Sequence, residues 1–186
     1  GQPFASIFPV GAFSQTAVGF GAAGAADVRA GALAPVRMAL TLNRAILAGE
    51  EVRVALPGFS SATIGPLSIA QSGGAAFEAT WIAGNESLLL TAGANVGADT
   101  MLTVTVAASN GLRLPSGGVT ANDTAITIST NAAAGPSDPT AVLETEGVAA
   151  VSGPTLDLAG AAATVASNMT LSFTLSSPLS PGDTVS

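Results

Sequence analysis

Carboxylates are the reactive side chains this sequence offers: twelve Asp and Glu stand in a chain with no His, no Cys and no Lys, its five cations all being Arg. Without His there is no Ser-His-Asp relay, and without His and Cys no ordinary zinc site. A thiolate or Schiff-base nucleophile needs Cys or Lys. What remains is carboxylate chemistry, such as the acid and base pair of a glycosidase. Glu50 and Glu51 are adjacent, so on a strand they point to opposite faces. Glu144 and Glu146 can share a face, but they follow the Pro/Gly/Ser-rich stretch NAAAGPSDP, where solvated charge is the ordinary explanation. Asp99, Asp123 and Asp138 are candidates for calcium between modules, yet they form no dense D-x-D cluster of the kind a hard cation needs. The glycines build neither a dinucleotide fingerprint nor a P-loop. The expectation is a protein that is not an enzyme, with no catalytic residue, no metal site and no cofactor.

The bulk properties narrow the partners. A net charge of −7 argues against nucleic acid and anionic membrane surfaces, which need clustered cations. Hydrophobic residues reach 48%, but the excess is mostly Ala, and no uninterrupted apolar run approaches the ~20 residues of a membrane span, so no membrane insertion is expected. Charged residues are only 9%, which leaves Ser, Thr and glycans to keep the surface soluble. Three N-x-S/T triplets, at Asn85, Asn122 and Asn168, are N-glycosylation candidates and favour a secreted eukaryotic protein.

These side chains must be carried by strands. Met38, Leu40 and Leu42 alternate with Arg37, Ala39, Thr41 and Asn43, and Val52, Val54 and Leu56 alternate with Glu51, Arg53 and Ala55. Short segments follow at 62–64, 67–70, 76–83, 87–91, 100–107 and 124–130, punctuated by Gly and Asn, with Thr on one face. This spacing predicts an all-β fold, a β-sandwich of the Ig-like type. Trp81, the single Trp, lies on an alternating strand with Phe77 and Ala79, which places it in the core; stacking on a carbohydrate is the other reading. Residues 21–35, rich in Ala and Gly, read as a loop or irregular strand.

The strand pair at 36–59 recurs near the end of the chain. The offset that carries Gly49 to Gly182 also carries Thr41 to Thr174, Leu42 to Leu175, Met38 to Leu171, Leu40 to Phe173, Ile46 to Leu179 and Val52 to Val185. Extended further back, it sets Ala150 and Val151 on Ala17 and Val18. The expected organisation is a Phe-rich segment at 1–16 contacting a neighbouring module, a sandwich at 17–135, a linker at 136–149, and an incomplete second sandwich at 150–186. The missing strands of the second sandwich come either from the same polypeptide or from another chain. Phe4, Phe8, Phe13 and Phe20 either cap the module's own core or act as assembly contacts, since exposed Phe would associate.

The segments LTLNRAILAGEEVRVALPGFSS and LSFTLSSPLSPGDTVS, with FEATW, resemble the Ig-like repeats of very large surface and extracellular proteins of unicellular algae, of which mastigoneme-type flagellar hair proteins are an example. The resemblance covers mainly residues 36–83 and 169–186 and carries no catalytic residue. It implies tandem modules in an extracellular filament or surface stalk, with other copies of the repeat as partners. Ser177-Pro178 and Ser180-Pro181 suit hydroxylated, glycosylated prolines of such proteins. An adhesion or glycan-binding surface module, using Phe4, Phe8, Phe13 or Trp81, is the alternative expectation.

Overall fold

A computed structural model describes residues 10–22, 28–63, 65–74, 76–159 and 168–176. Its strands are β1 (Phe13–Phe20), β2 (Val36–Leu42), β3 (Glu51–Ala55), β4 (Ser60–Ser61), β5 (Pro66–Leu67), β6 (Ile69–Ser72), β7 (Phe77–Ile82) and β8 (Ser87–Ala92). They continue with β9 (Met101–Val106), β10 (Leu112–Arg113), β11 (Thr127–Thr130), β12 (Ser137–Ala141), β13 (Glu144–Thr145), β14 (Val151–Ala159) and β15 (Asn168–Leu175). One sheet runs in the order β13-β1-β2-β9-β6 and the other in the order β12-β11-β3-β8-β7-β5. Their inner faces meet in one core, so the fold is an all-β sandwich.

Alternation builds this core. Val36, Met38, Leu40 and Leu42 of β2 are buried, as are Val52 and Val54 of β3, Leu88 and Leu90 of β8, and Leu102, Val104 and Val106 of β9. Phe77, Ala79 and Trp81 of β7 share the inner face, so Trp81 is a core residue. Thr103 and Thr105 lie on the outer side of β9, the Thr-coated surface the sequence predicts.

Two of the connections between the sheets are copies of each other. A single offset in sequence carries Leu42, Ile46, Gly49, Val52 and Val54 onto Ala92, Val96, Asp99, Leu102 and Val104. The first arch leads from β2 to β3, the second from β8 to β9. Ile46 N–H donates to the Val96 carbonyl at 3.0 Å and Val96 N–H returns a bond to Ile46 at 2.8 Å. Gly49 N–H donates to Ala92 O at 2.6 Å, matched by Asp99 N–H to Leu42 O at 2.8 Å. Both arches need a left-handed residue at the same point, Gly49 at φ 87° and Asp99 at φ 56°.

The edges are closed by segments that change sheets. Residues 66–72 pair as β5 with β7 in one sheet, then as β6 with β9 in the other. The break at Ser68 is held by buried Asn110, whose Oδ1 accepts from Ser68 N–H at 2.8 Å while its Nδ2 donates to Ser68 O at 2.7 Å and to Ala107 O at 3.0 Å. On the opposite side β12 pairs antiparallel with β11, and β13 then pairs parallel with β1.

That last crossing corrects the expected boundaries. Residues 136–149 are not a linker: they supply the closing strands of the first sandwich, with Val142, Thr145 and Val148 buried. The polar, Pro-containing composition of Ser137–Ala141 belongs to an edge strand, where proline needs no ladder partner on its open side. The sandwich likewise begins with β1 at Phe13, not at residue 17, so Phe13–Thr16 belong to it. The strand expected at 124–130 starts at Thr127, because Asp123 Oδ1 accepts from Ala125 N–H and holds a turn. The strand expected at 62–64 is instead Ser60–Ser61, ended by Ser61 Oγ accepting from Thr63 N–H.

Replacing Asn110 by Ala should destabilise the fold by about 2–4 kcal/mol, because backbone groups of Ser68 and Ala107 lose their buried partners. Urea unfolding followed by tryptophan fluorescence measures this; a loss under about 0.5 kcal/mol, the size of an ordinary surface change, would show that the crossing at Ser68 holds without it.

Candidate functional site

Several carboxylates act as structural ties. Glu50 Oε2 accepts from Leu47 N–H at 2.7 Å and its Oε1 from Ala133 N–H at 2.7 Å, fastening the first arch to the loop after β11. Glu51 Oε2 accepts from the Asn131 amide at 3.4 Å. Glu146 accepts from Phe20 N–H at 2.9 Å and pairs with Arg37 at 3.2 Å, and Arg37 Nε donates to Gly21 O at 2.9 Å. Among the described residues, no three His, Cys, Asp or Glu side chains gather to hold a metal, and no helix is long and apolar enough to cross a membrane. The outer face of the first sheet carries a shallow open groove of about 740 Å³, lined by Arg37, Glu146, Thr103, Thr105 and Asn122 among others. Arg37 and Glu146 are paired with each other there, and Glu144 also lines the groove.

The aromatic candidates scatter. Phe20 is fully buried against Phe59, ring centroids 5.6 Å apart, so it caps its own sandwich and offers nothing to a neighbour. Phe13 is half-buried at the start of β1 and packs on the same core. Phe4 and Phe8 lie outside the described residues. Of the glycosylation candidates, Asn85 is exposed in a single 3-10 turn and Asn122 is exposed in a turn at φ 56°. Asn168 opens β15.

The feature that stands apart is the two-stranded sheet of β14 and β15. It repeats β1 and β2 in register. The offset from Gly49 to Gly182 maps β2 onto β15, and β15 then identifies the partner positions in β14. Val18 pairs with Met38, and Leu156 pairs with Leu171. Phe13 pairs with Leu42, and Val151 pairs with Leu175. Both ladders slip near the start of the first strand, between Phe13 and Gln15 and between Ser152 and Thr155. The entry is the same too: Ala12 N–H donates to Asn43 Oδ1 at 2.9 Å and Asn43 N–H to Ala12 O at 3.0 Å. Ala150 N–H donates to Ser176 Oγ at 2.8 Å and Ser176 N–H to Ala150 O at 3.0 Å.

These pairings correct the expected alignment of the first strand. Val151 occupies the Phe13 position, not that of Val18, so β1 maps onto β14 by a longer offset than the one that maps β2 onto β15. The difference lies in the connection between the two strands, which is shorter in the second copy. Sequence comparison at one fixed offset misses a strand displaced by a deletion.

No family model and no curated protein matches this chain. The internal repeat therefore serves as the comparison, and it defines what the hairpin lacks. Val36, Met38 and Leu40 are 0%, 3% and 1% exposed, whereas their counterparts Met169, Leu171 and Phe173 are 71%, 58% and 37% exposed. Leu156, across from Leu171, is exposed as well. Thr170, Ser172 and Thr174 alternate with them along the strand. The hairpin has the amphipathic pattern of a sandwich strand pair with its apolar face uncovered.

Truncating equivalent residues separates the two copies. Leu40→Ala should destabilise the sandwich by about 2–5 kcal/mol, whereas Phe173→Ala should change it by less than about 1 kcal/mol. Chemical denaturation of both variants reads this directly; equal losses would mean that β15 packs into the first core.

Proposed function

We propose that the protein is a structural building block of an extracellular filament or surface stalk, assembled head to tail from Ig-like sandwiches. The observation that carries this reading is the second opening hairpin, which repeats the register, the bulge and the entry hydrogen bonds of the first while its inner face stays bare. A complete sandwich followed by the first strand pair of another is what a segment of a tandem array contains.

The placement of the terminal strands supports a role under tension. The chain enters the sandwich on β1 and leaves it on β13, and these two strands are neighbours running parallel, with Ala17 opposite Glu144 and Val18 opposite Thr145. Parallel neighbours start at the same pole and end at the same pole, so entry and exit lie at opposite ends. Tension along the chain then shears their hydrogen bonds together instead of peeling them singly. Glu146 N–H to Val18 O, 2.9 Å, is one of these bonds. A surface of Thr and Ser, three sequons and little charge fits exposure to solvent and glycans outside the cell.

Antibodies raised against the protein should label the surface of intact source cells, with filaments or stalks decorated along their length; signal only after permeabilisation would overturn the reading. Expressed through a eukaryotic secretory pathway, the protein should carry glycans at exposed Asn85 and Asn122, each Asn→Gln change removing one glycan mass. In single-molecule pulling from both ends, Glu146→Pro, which deletes the donor to Val18, should lower the rupture force of the sandwich. An unchanged force would remove the shear mechanism.

A further inference from the structure

Resting on the tandem reading, we propose that successive sandwiches meet in a strand-paired joint, and that Val10 is this protein's half of such a joint with a preceding copy. The exit from the first sandwich toward the following hairpin is held by a pairing within that sandwich. Val119 N–H donates to Val148 O at 2.8 Å and Val148 N–H donates back to Val119 O at 2.8 Å. Both side chains are buried. The pairing requires close approach: Gly118, at φ 79°, has no room for a Cβ, which would collide with the Val148 carbonyl oxygen. Just beyond, Ala150, also buried, makes the bonds to Ser176 that begin the next hairpin. The polypeptide thus passes from one sandwich to the next while tied to the first by Glu146 and Val148 and to the second by Ala150. Its short length leaves no flexible linker.

The same offset that relates Phe13 of β1 to Val151 of β14 also relates Val10 to Val148 and Ala12 to Ala150. Ala12 already makes the entry bonds that Ala150 makes. Val10 differs from its counterpart in cover: it is 72% exposed where Val148 is 3% exposed. The residue that would cover it is the counterpart of Val119, on another copy of this sandwich. The sequence before it agrees. Val142, Thr145 and Val148, the buried positions of the closing segment, fall by that offset on Phe4, Ile7 and Val10, apolar at every position.

Two measurements test the joint. In the full chain, Gly118→Ala should speed hydrogen exchange of the Val119 and Val148 amides by about tenfold or more, with Val52, Leu90 and Val104 as protected as before. Retained protection at Val119 and Val148 would overturn the proposal. In a fusion where residues 10–186 follow directly after residue 147, Val10 of the second copy takes the place of Val148. Its amide should become protected, and ¹⁵N relaxation should show the two sandwiches tumbling as one elongated body. Independent tumbling would equally defeat the joint. A protein that forms this joint but never reaches the cell surface would instead remove the filament reading and leave the joint standing.

Discussion

Everything in the sandwich depends on two arches that cross between its sheets at one place. Each arch crosses from one sheet to the other over the end of the core, with one inward residue, Ile46 or Val96, buried and the positions around it exposed or half-buried, and the backbone of that buried residue still needs partners. The solution is reciprocal. Ile46 and Val96 satisfy each other's backbone while both side chains stay in the core, and Gly49 and Asp99 each reach back to the strand that precedes the other arch. Neither arch is satisfied alone, so β2-β3 and β8-β9 have to form as a unit. Because each arch leaves one sheet and enters the other, this mutual lock also fixes the spacing of the sheets and the register of the four central strands.

The edges follow from the same economy of backbone groups. An open sheet edge invites pairing with foreign strands, and here each side of the sandwich carries one segment that serves the two sheets in turn. On one side the switch needs Asn110, a buried amide that imitates a strand partner for Ser68. On the other it needs Val142, buried between the last pairing of β12 and the first of β13. The hairpin of β14 and β15 has neither device. Its sequence has the pattern of a covered element, with Leu171 and Phe173 alternating with Ser and Thr, and it lacks the clustered charges that protect a strand pair meant to stay exposed.

Much of this was legible in the residues. The alternation at Met38–Leu42 and Val52–Leu56 located the central strands, Trp81 was placed in the core by its neighbours, and the recurrence around Gly182 pointed to a second copy. The closing strands were not legible, because Ser137–Ala141 reads as a linker by composition and gains its strand geometry only from β11. Long-range pairing, not local preference, decides such a segment. The pair of arches was readable in principle from the offset that sets Ile46 on Val96. Gly49 against Asp99 and Glu51 against Met101 hide the match, since an arch requires a left-handed backbone and an inward apolar residue more than any fixed side chain. The uncovered face needed the folded structure, because exposure depends on what is missing opposite Leu171 and not on Leu171 itself.

The parallel pairing of β1 with β13 ties the start of the sandwich to its end. A strand pair at the start of the module must wait for the last strand to complete its sheet, so the sandwich closes only when residues 144–148 arrive. Those same residues include Val148, paired with Val119, and two residues further Ala150 makes the bonds to Ser176 that begin the β14-β15 hairpin, so the end of the sandwich and the start of the hairpin are adjacent in the chain.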